Sequence, residues 1–283
     1  MRKSNKDFMK DITIDEKVLN FYQEMPFNIY GDLKIATEKI KKNKLKLIYP
    51  ELDKIIKNHK INNFIDIGCG GGWLVNTIAF NNSFKSFGLD FNPVALNYAK
   101  EVNKNLSLKS QFLQGNIFEF QTSLKFDLIT SLGVLHHTND CISALKKVCK
   151  FGSKNSYIFL GLYHKYGRKP FLDFVKKIKK QNKSEMFEKY KELHKLSDKA
   201  HLMSWFRDQV LHPHETQHTY NEITPILRQC GYEIISTSIN NFDKINSDEE
   251  IINSEKGLYG YGLKKMEEKK YFPGFFIIVG KKI

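Results

Sequence analysis

The sequence predicts an α/β fold, a doubly wound and mostly parallel sheet with helices on both faces. Three observations predict it. Residues 63–67 form a short apolar run that ends in a glycine-rich turn, Gly68-Cys69-Gly70-Gly71-Gly72. A helical pattern then runs from Trp73-Leu74-Val75 to Ile78-Ala79-Phe80, so the order is strand, tight turn, helix. Further strand-like runs, each ending in a polar residue or loop, recur at 85–90, 111–117 and 126–137.

Taken in order, residues 1–60 precede the sheet. Val18–Tyr22 is a short amphipathic piece, and residues 23–32 are aromatic and irregular because Pro26 and Gly31 break helices. Residues 33–59 carry apolar positions at helical spacing, divided by Pro50. In the glycine turn the backbone reaches φ > 0 and admits a ligand with no Cβ in the way. The helix behind it offers unpaired N–H groups. A dinucleotide fingerprint needs Gly-x-Gly-x-x-Gly. Here the third glycine comes one residue early, at Gly72, and Asp66 stands on the strand before the turn. The run Lys85–Asp90 ends in a carboxylate placed to accept ribose hydroxyls. Asn92-Pro93 starts the next helix as cap and first residue. The third run ends at Gly115-Asn116-Ile117, and the fourth passes through Leu132-Gly133 to Val134-Leu135-His136-His137.

The spacing acid-x-Gly-x-Gly-x-Gly from Asp66 to Gly72, with these three strand ends, resembles the class I S-adenosylmethionine (SAM) methyltransferases over about residues 60–163. The resemblance implies a Rossmann-like, seven-stranded sheet whose last strand is antiparallel. It implies that Asp66 and the turn at Gly68, Cys69, Gly70 and Gly72 serve the methionine and ribose end of the cofactor. Asp90, with Phe91 beside it, would hold the ribose. Asn116 and Ile117 would hold the adenine, and Leu132 with Gly133 would line the methionyl side. The family usually has Asp where this chain has Asn116; the side-chain carbonyl still accepts a hydrogen bond.

Beyond the His-His loop, Asn139-Asp140 starts a helix that Gly152 is expected to end, and residues 156–162 read as the fifth strand. Its loop, residues 163–170, falls on the ligand side of an open sheet. Tyr163, His164 and Arg168 are therefore substrate candidates, with Arg168 suited to a carboxylate or phosphate. Residues 170–199 read as inserted helices, a candidate lid. The stretch 204–219 gathers Trp205, Arg207, Asp208, His212, His214, Glu215 and His218. Three readings stay open for it. His212, His214 and His218 with a carboxylate make a metal site; Trp205, His214 and Glu215 contact substrate; or the side chains tie down a loop. The stretch is read as a loop, which fixes no ligand geometry, so no metal is assigned. Thr219–Glu222 is a capping box. A strand at 232–239, a polar linker with a flexible run at 257–262, and a last strand at 274–280 complete the chain.

The cofactor brings an activated methyl group, so the protein needs a base only for an acceptor that keeps its proton. His136, His164 and His214 are the base candidates. His137, Tyr22, Tyr30, Arg207 and His212 join the substrate candidates. The reading is a SAM-dependent methyltransferase acting on a small molecule through an O- or C-nucleophile. The alternatives are an RNA (tRNA) methyltransferase and a SAM-binding protein without turnover. Net charge +14 and a pI near 9.4 invite nucleic acid. The basic residues are spread along the chain and no base-holding motif appears, so nucleic acid is disfavoured though left open. Cys69, Cys141, Cys149 and Cys230 form no Cys-x-x-Cys, and residues 1–7 have no apolar core. The protein is expected in a reducing cytoplasm without a membrane span. Residues 1–60 are expected to form a helical cap. Residues 61–283 form the methyltransferase domain, with an insertion at about 165–218. Oligomeric state is not legible.

Overall fold

The computed structural model describes residues 13–283, so the polar start at 1–7 lies outside the described residues. Seven strands form one sheet in the order β3-β2-β1-β4-β5-β7-β6. They are β1 (Asn63–Ile67), β2 (Lys85–Asp90), β3 (Gln111–Gln114), β4 (Phe126–Leu132), β5 (Gly152–Tyr163), β6 (Tyr232–Thr237) and β7 (Phe275–Lys282). The first five run parallel. β7 is antiparallel to both β5 and β6, as the sequence predicts for the last strand.

Successive strand residues face opposite layers. Ile65 packs with Leu145, Val148 and Leu227 on one side. Phe64 packs with Leu52, Val75 and Ile78 on the other. That two-sided burial explains why the central strands read as continuous apolar runs. The helices between them are α5 (Trp73–Asn81), α6 (Pro93–Asn105), α7 (Cys141–Cys149) and α11 (Tyr220–Gln229). Asn92 caps α6 by accepting from the Val94 N–H, with Pro93 at its first position. Thr219 and Glu222 form the capping box of α11.

Among the described residues, four helices precede the sheet: α1 (Ile14–Glu24), α2 (Leu33–Lys42), α3 (Leu45–Ile48) and α4 (Pro50–Asn58). Pro50 opens α4, where its missing N–H costs nothing. After β5 come α8 (Lys165–Ile178), α9 (Lys183–Lys191) and α10 (Lys199–Phe206), the last continued by a π-helical turn, Arg207–Leu211. They close around a third apolar cluster that includes Phe171, Tyr190, Phe206 and Val210.

Four local expectations are corrected. Gly152 does not end a helix: α7 stops at Cys149 and β5 begins at Gly152. The rim loop at 163–170 is largely α8, with His164 as its N-cap and Pro170 inside it. Part of the stretch 204–219 is helical, because α10 and its π-turn run to Leu211. The run at 257–262, read as flexible, opens α13 (Gly257–Glu267), which follows α12 (Asp248–Glu255). A Cβ on Gly262 would stand 2.9 Å from Pro170 Cγ and 3.2 Å from the Gly167 carbonyl oxygen. Gly262 thus lets α13 lie close on α8. Among the described residues, no helix is long and apolar enough to cross a membrane.

Candidate active site

A cavity opens at the carboxyl ends of β1, β2 and β4, and α1 lies over it. At its base, Gly70 (φ 50°) and Gly133 (φ 77°) hold the left-handed backbone. A Cβ at either would meet nothing within 4 Å, so both would project side chains into the open cavity. Gly68 and Leu132 also line it. Gly72 does not: a Cβ there would stand 2.6 Å from Ala99 Cβ, so its role is helix packing.

Asp90, at the end of β2, is buried and faces the cavity. Its Oδ2 accepts from the Gly70 N–H at 2.7 Å and its Oδ1 from the Asn92 N–H at 2.8 Å. Burial pushes its carboxyl up; the backbone N–H groups oppose this. Each oxygen keeps capacity for a second donor, such as a ribose hydroxyl. Asp66 points elsewhere. It accepts from Thr130 Oγ1 at 2.6 Å, and burial pushes it up to about 7. Neither Asp66 nor Cys69 lines the cavity. Phe91, Asn116 and Ile117 do. The Asn116 carbonyl oxygen accepts from the Phe118 N–H at 2.9 Å. That oxygen keeps a second lone pair, and the amide nitrogen keeps its hydrogens, so both ends of the side chain are left to meet a ligand.

The histidines separate. His137 lines the cavity. Its Nδ1–H donates to the His214 carbonyl at 2.9 Å, and its Nε2 has no partner among the described residues. A carbonyl only accepts, so Nδ1 carries the proton and Nε2 the lone pair. Burial holds the ring below its ordinary pKa against the opposing pull of Asp208. His136 is fully buried, its ring centroid 3.9 Å from that of Tyr163, and it does not line this cavity. His164 is also fully buried. It accepts from the Gly167 N–H at 3.2 Å and pairs with Glu255 at 2.9 Å. His214 presents its main chain, donating its N–H to His212 Nδ1 at 3.1 Å. None of the three expected bases lies on the cavity wall; the fourth histidine, expected only to touch substrate, does.

The remaining substrate candidates divide the same way. Tyr22 lines the cavity, and its hydroxyl donates to Asp208 at 2.5 Å. Tyr30 stacks on His201 at 4.2 Å, outside the lining. Trp205 donates to His201 Nε2 at 2.9 Å, and Arg207 binds Glu24 at 2.7 Å. Arg168 is fully buried. It grips Glu215 with Nε at 3.1 Å and Nη2 at 2.7 Å, donates to Gln209 Oε1 at 2.8 Å, and lies 3.8 Å over the Tyr163 ring. Arg168, Glu215 and Tyr163 thus form an internal clamp rather than a substrate grip. His212 stacks on His137 at 3.8 Å, beneath Phe21 and Tyr22 of α1. Among the described residues, no group of three or more His, Cys, Asp or Glu side chains is disposed to hold a metal ion.

Asp15, Val18, Pro26, Val134 and Thr138 also line the cavity, and sequence reading missed them. One signal was available: Asp15, Val18 and Tyr22 are spaced i, i+3, i+7, a single helical face.

A family described as methyltransferase domain matches residues 58–270. The chain belongs to that family. The sheet order and antiparallel β7 make this methyltransferase-domain protein a class I member, and the family uses SAM. Two curated relatives match part of it. The ubiquinone biosynthesis O-methyltransferase of Pelagibacter ubique is 29% identical over 113 residues, 40% of this chain and 45% of that protein. The mitochondrial ubiquinone biosynthesis O-methyltransferase of Dictyostelium discoideum is 29% identical over 160 residues, 52% of this chain and 44% of that protein. The chain spans less than half the length of these relatives. Magnesium protoporphyrin IX methyltransferase from Synechocystis PCC 6803, solved with SAM, superposes with a TM-score of 0.54 at 11% identity, covering 97% of this chain and 99% of that one. At that identity the likeness is one of fold.

Proposed function

We propose that this protein transfers a methyl group from SAM to a hydroxyl of a small organic acceptor, with His137 as the general base. One observation carries the reading. One cavity has a side-chain-free wall at Gly70 and Gly133, a buried carboxylate at Asp90, and the His137 ring, whose Nε2 is buried and has no partner among the described residues. The two curated relatives are O-methyltransferases, which favours oxygen as the atom methylated.

The residues present fit the cofactor. The open cradle at Gly70 and Gly133 admits a chain that any Cβ would block. Asp90 has two oxygens for a diol, and Asn116 offers amide hydrogens and a remaining carbonyl lone pair to an adenine edge. When bound, SAM supplies a methyl group on a positively charged sulfur. This chain's residues then position and deprotonate. α1, through Val18 and Tyr22, and Phe27 just beyond it cover the cavity and exclude water. His137 takes the acceptor proton at Nε2, and the His214 carbonyl fixes the tautomer that permits it. Holding the nucleophile in line contributes roughly 7–11 kcal/mol.

Calorimetry with SAM and S-adenosylhomocysteine tests the reading, beside Asp90→Ala and Gly70→Val. Micromolar binding by the natural protein that both variants lose is expected. No binding by the natural protein would refute it.

A further inference from the structure

The polar groups on the acceptor side of the cavity share one property. Four side chains from α1 and the segment after β4 face that side: Asp15, Tyr22, His137 and Thr138. The Tyr22 hydroxyl spends its hydrogen on Asp208. Thr138 Oγ1 spends its hydrogen on the Leu135 carbonyl at 2.6 Å. His137 spends its only N–H on the His214 carbonyl and leaves a buried, unpartnered lone pair at Nε2. Asp15, which accepts from the Asn139 N–H at 3.2 Å, has no hydrogen to give. The main-chain N–H groups of His137 and Thr138 are spent on Val134 and Leu135. The Asn92 amide, also on the wall, gives one of its two hydrogens to the Tyr22 carbonyl at 2.8 Å. None of the described lining residues is Lys or Arg. The buried cation behind the wall, Arg168, is bound by Glu215.

We infer that this face selects a neutral or amino-bearing acceptor with at least two O–H or N–H donors, and rejects one presenting a carboxylate or phosphate there. This rests on the methyl-transfer reading and names the acceptor class for it. A molecule with two donors satisfies Tyr22 and His137 together, and its second donor is held while the first is deprotonated. An anionic group would face these acceptors with no cation and, beyond an amide hydrogen of Asn92, little to replace its lost water. The net charge of +14 suggests the opposite preference, but those cations are not on this wall.

Three catechol probes test it, alike except for a hydroxymethyl, aminoethyl or carboxylate substituent. Each is titrated into protein saturated with S-adenosylhomocysteine. The neutral and amino probes are expected to bind at least about ten-fold tighter than the carboxylate. Thr138→Lys, which adds the missing donor, is expected to shift the preference toward the carboxylate by a similar factor. Thr138→Val is expected to weaken the neutral probe a few-fold while S-adenosylhomocysteine affinity stays put. Equal or tighter binding of the carboxylate by the natural protein would overturn the inference. So would failure of all three probes while S-adenosylhomocysteine binds, which leaves the methyltransferase reading standing. Failure of S-adenosylhomocysteine itself would overturn that reading.

Discussion

Replacing Arg168 by Met separates a structural clamp from a substrate grip. Arg168 is fully buried and makes five hydrogen bonds: two to Glu215, two to the side chain and carbonyl of Gln209, and one to the Pro273 carbonyl. These join α8, the π-turn, the loop after it and the approach to β7. The Met side chain fills similar volume but donates nothing. Glu215, whose side chain is only 16% exposed, is left without its counter-ion. Breaking a buried pair in this way costs about 3–5 kcal/mol, which lowers the melting temperature by roughly 6–20 °C at 2–4 °C per kcal/mol. Arg168→Met with Glu215→Leu removes both charges and is expected to recover most of the loss. Urea unfolding followed by circular dichroism measures all three proteins. A loss under about 1 kcal/mol in the single variant would refute the clamp. If weakened binding of the carboxylate catechol accompanied it, Arg168 would be a ligand residue after all.

Two further outcomes follow from the same geometry. His137→Gln should lower kcat for the hydroxymethyl catechol about 10²–10⁴-fold with little change in S-adenosylhomocysteine affinity; unchanged kcat would remove His137 as base. Stability should fall between pH 7 and pH 5. Burial holds His136, His137, His201 and His218 below the ordinary 6.5, His194 near 4 and His212 near 2. As pH drops through 6.5 the unfolded chain binds protons that the folded one refuses, so stability present above 6.5 is lost below it. Asp66, Asp90 and Asp208, pushed up by burial, act in the opposite sense. The six histidines outnumber them. A melting temperature equal or higher at pH 5 would contradict this.

The glycine turn, the carboxylate ending β2 and the parallel core were legible because local chemistry dictates them. A strand buried on both faces is apolar throughout, and a turn that admits a ligand needs glycine. What stayed illegible depends on distant partners. His164 looks like a rim residue in the sequence, but its ring caps α8 and meets Glu255, 91 positions later. The glycines at 257–262 spell a loop by propensity, yet the segment is the start of α13, and Gly262 lets it approach α8 closely. The order of the two adjacent histidines carried no signal about which would face the cavity. That was decided by the Tyr163 ring holding one and the His214 carbonyl orienting the other. Asp66 belongs to the motif but turns to Thr130, a partner two strand positions past Leu128 on the neighbouring β4.

The most direct measurement is a crystal structure of the protein grown with S-adenosylhomocysteine. The account predicts density across the cradle of Gly70 and Gly133, the ribose hydroxyls on Asp90, and the sulfur facing His137 under α1. Density for the ligand outside this cavity, or a ribose that makes no contact with Asp90, would contradict it.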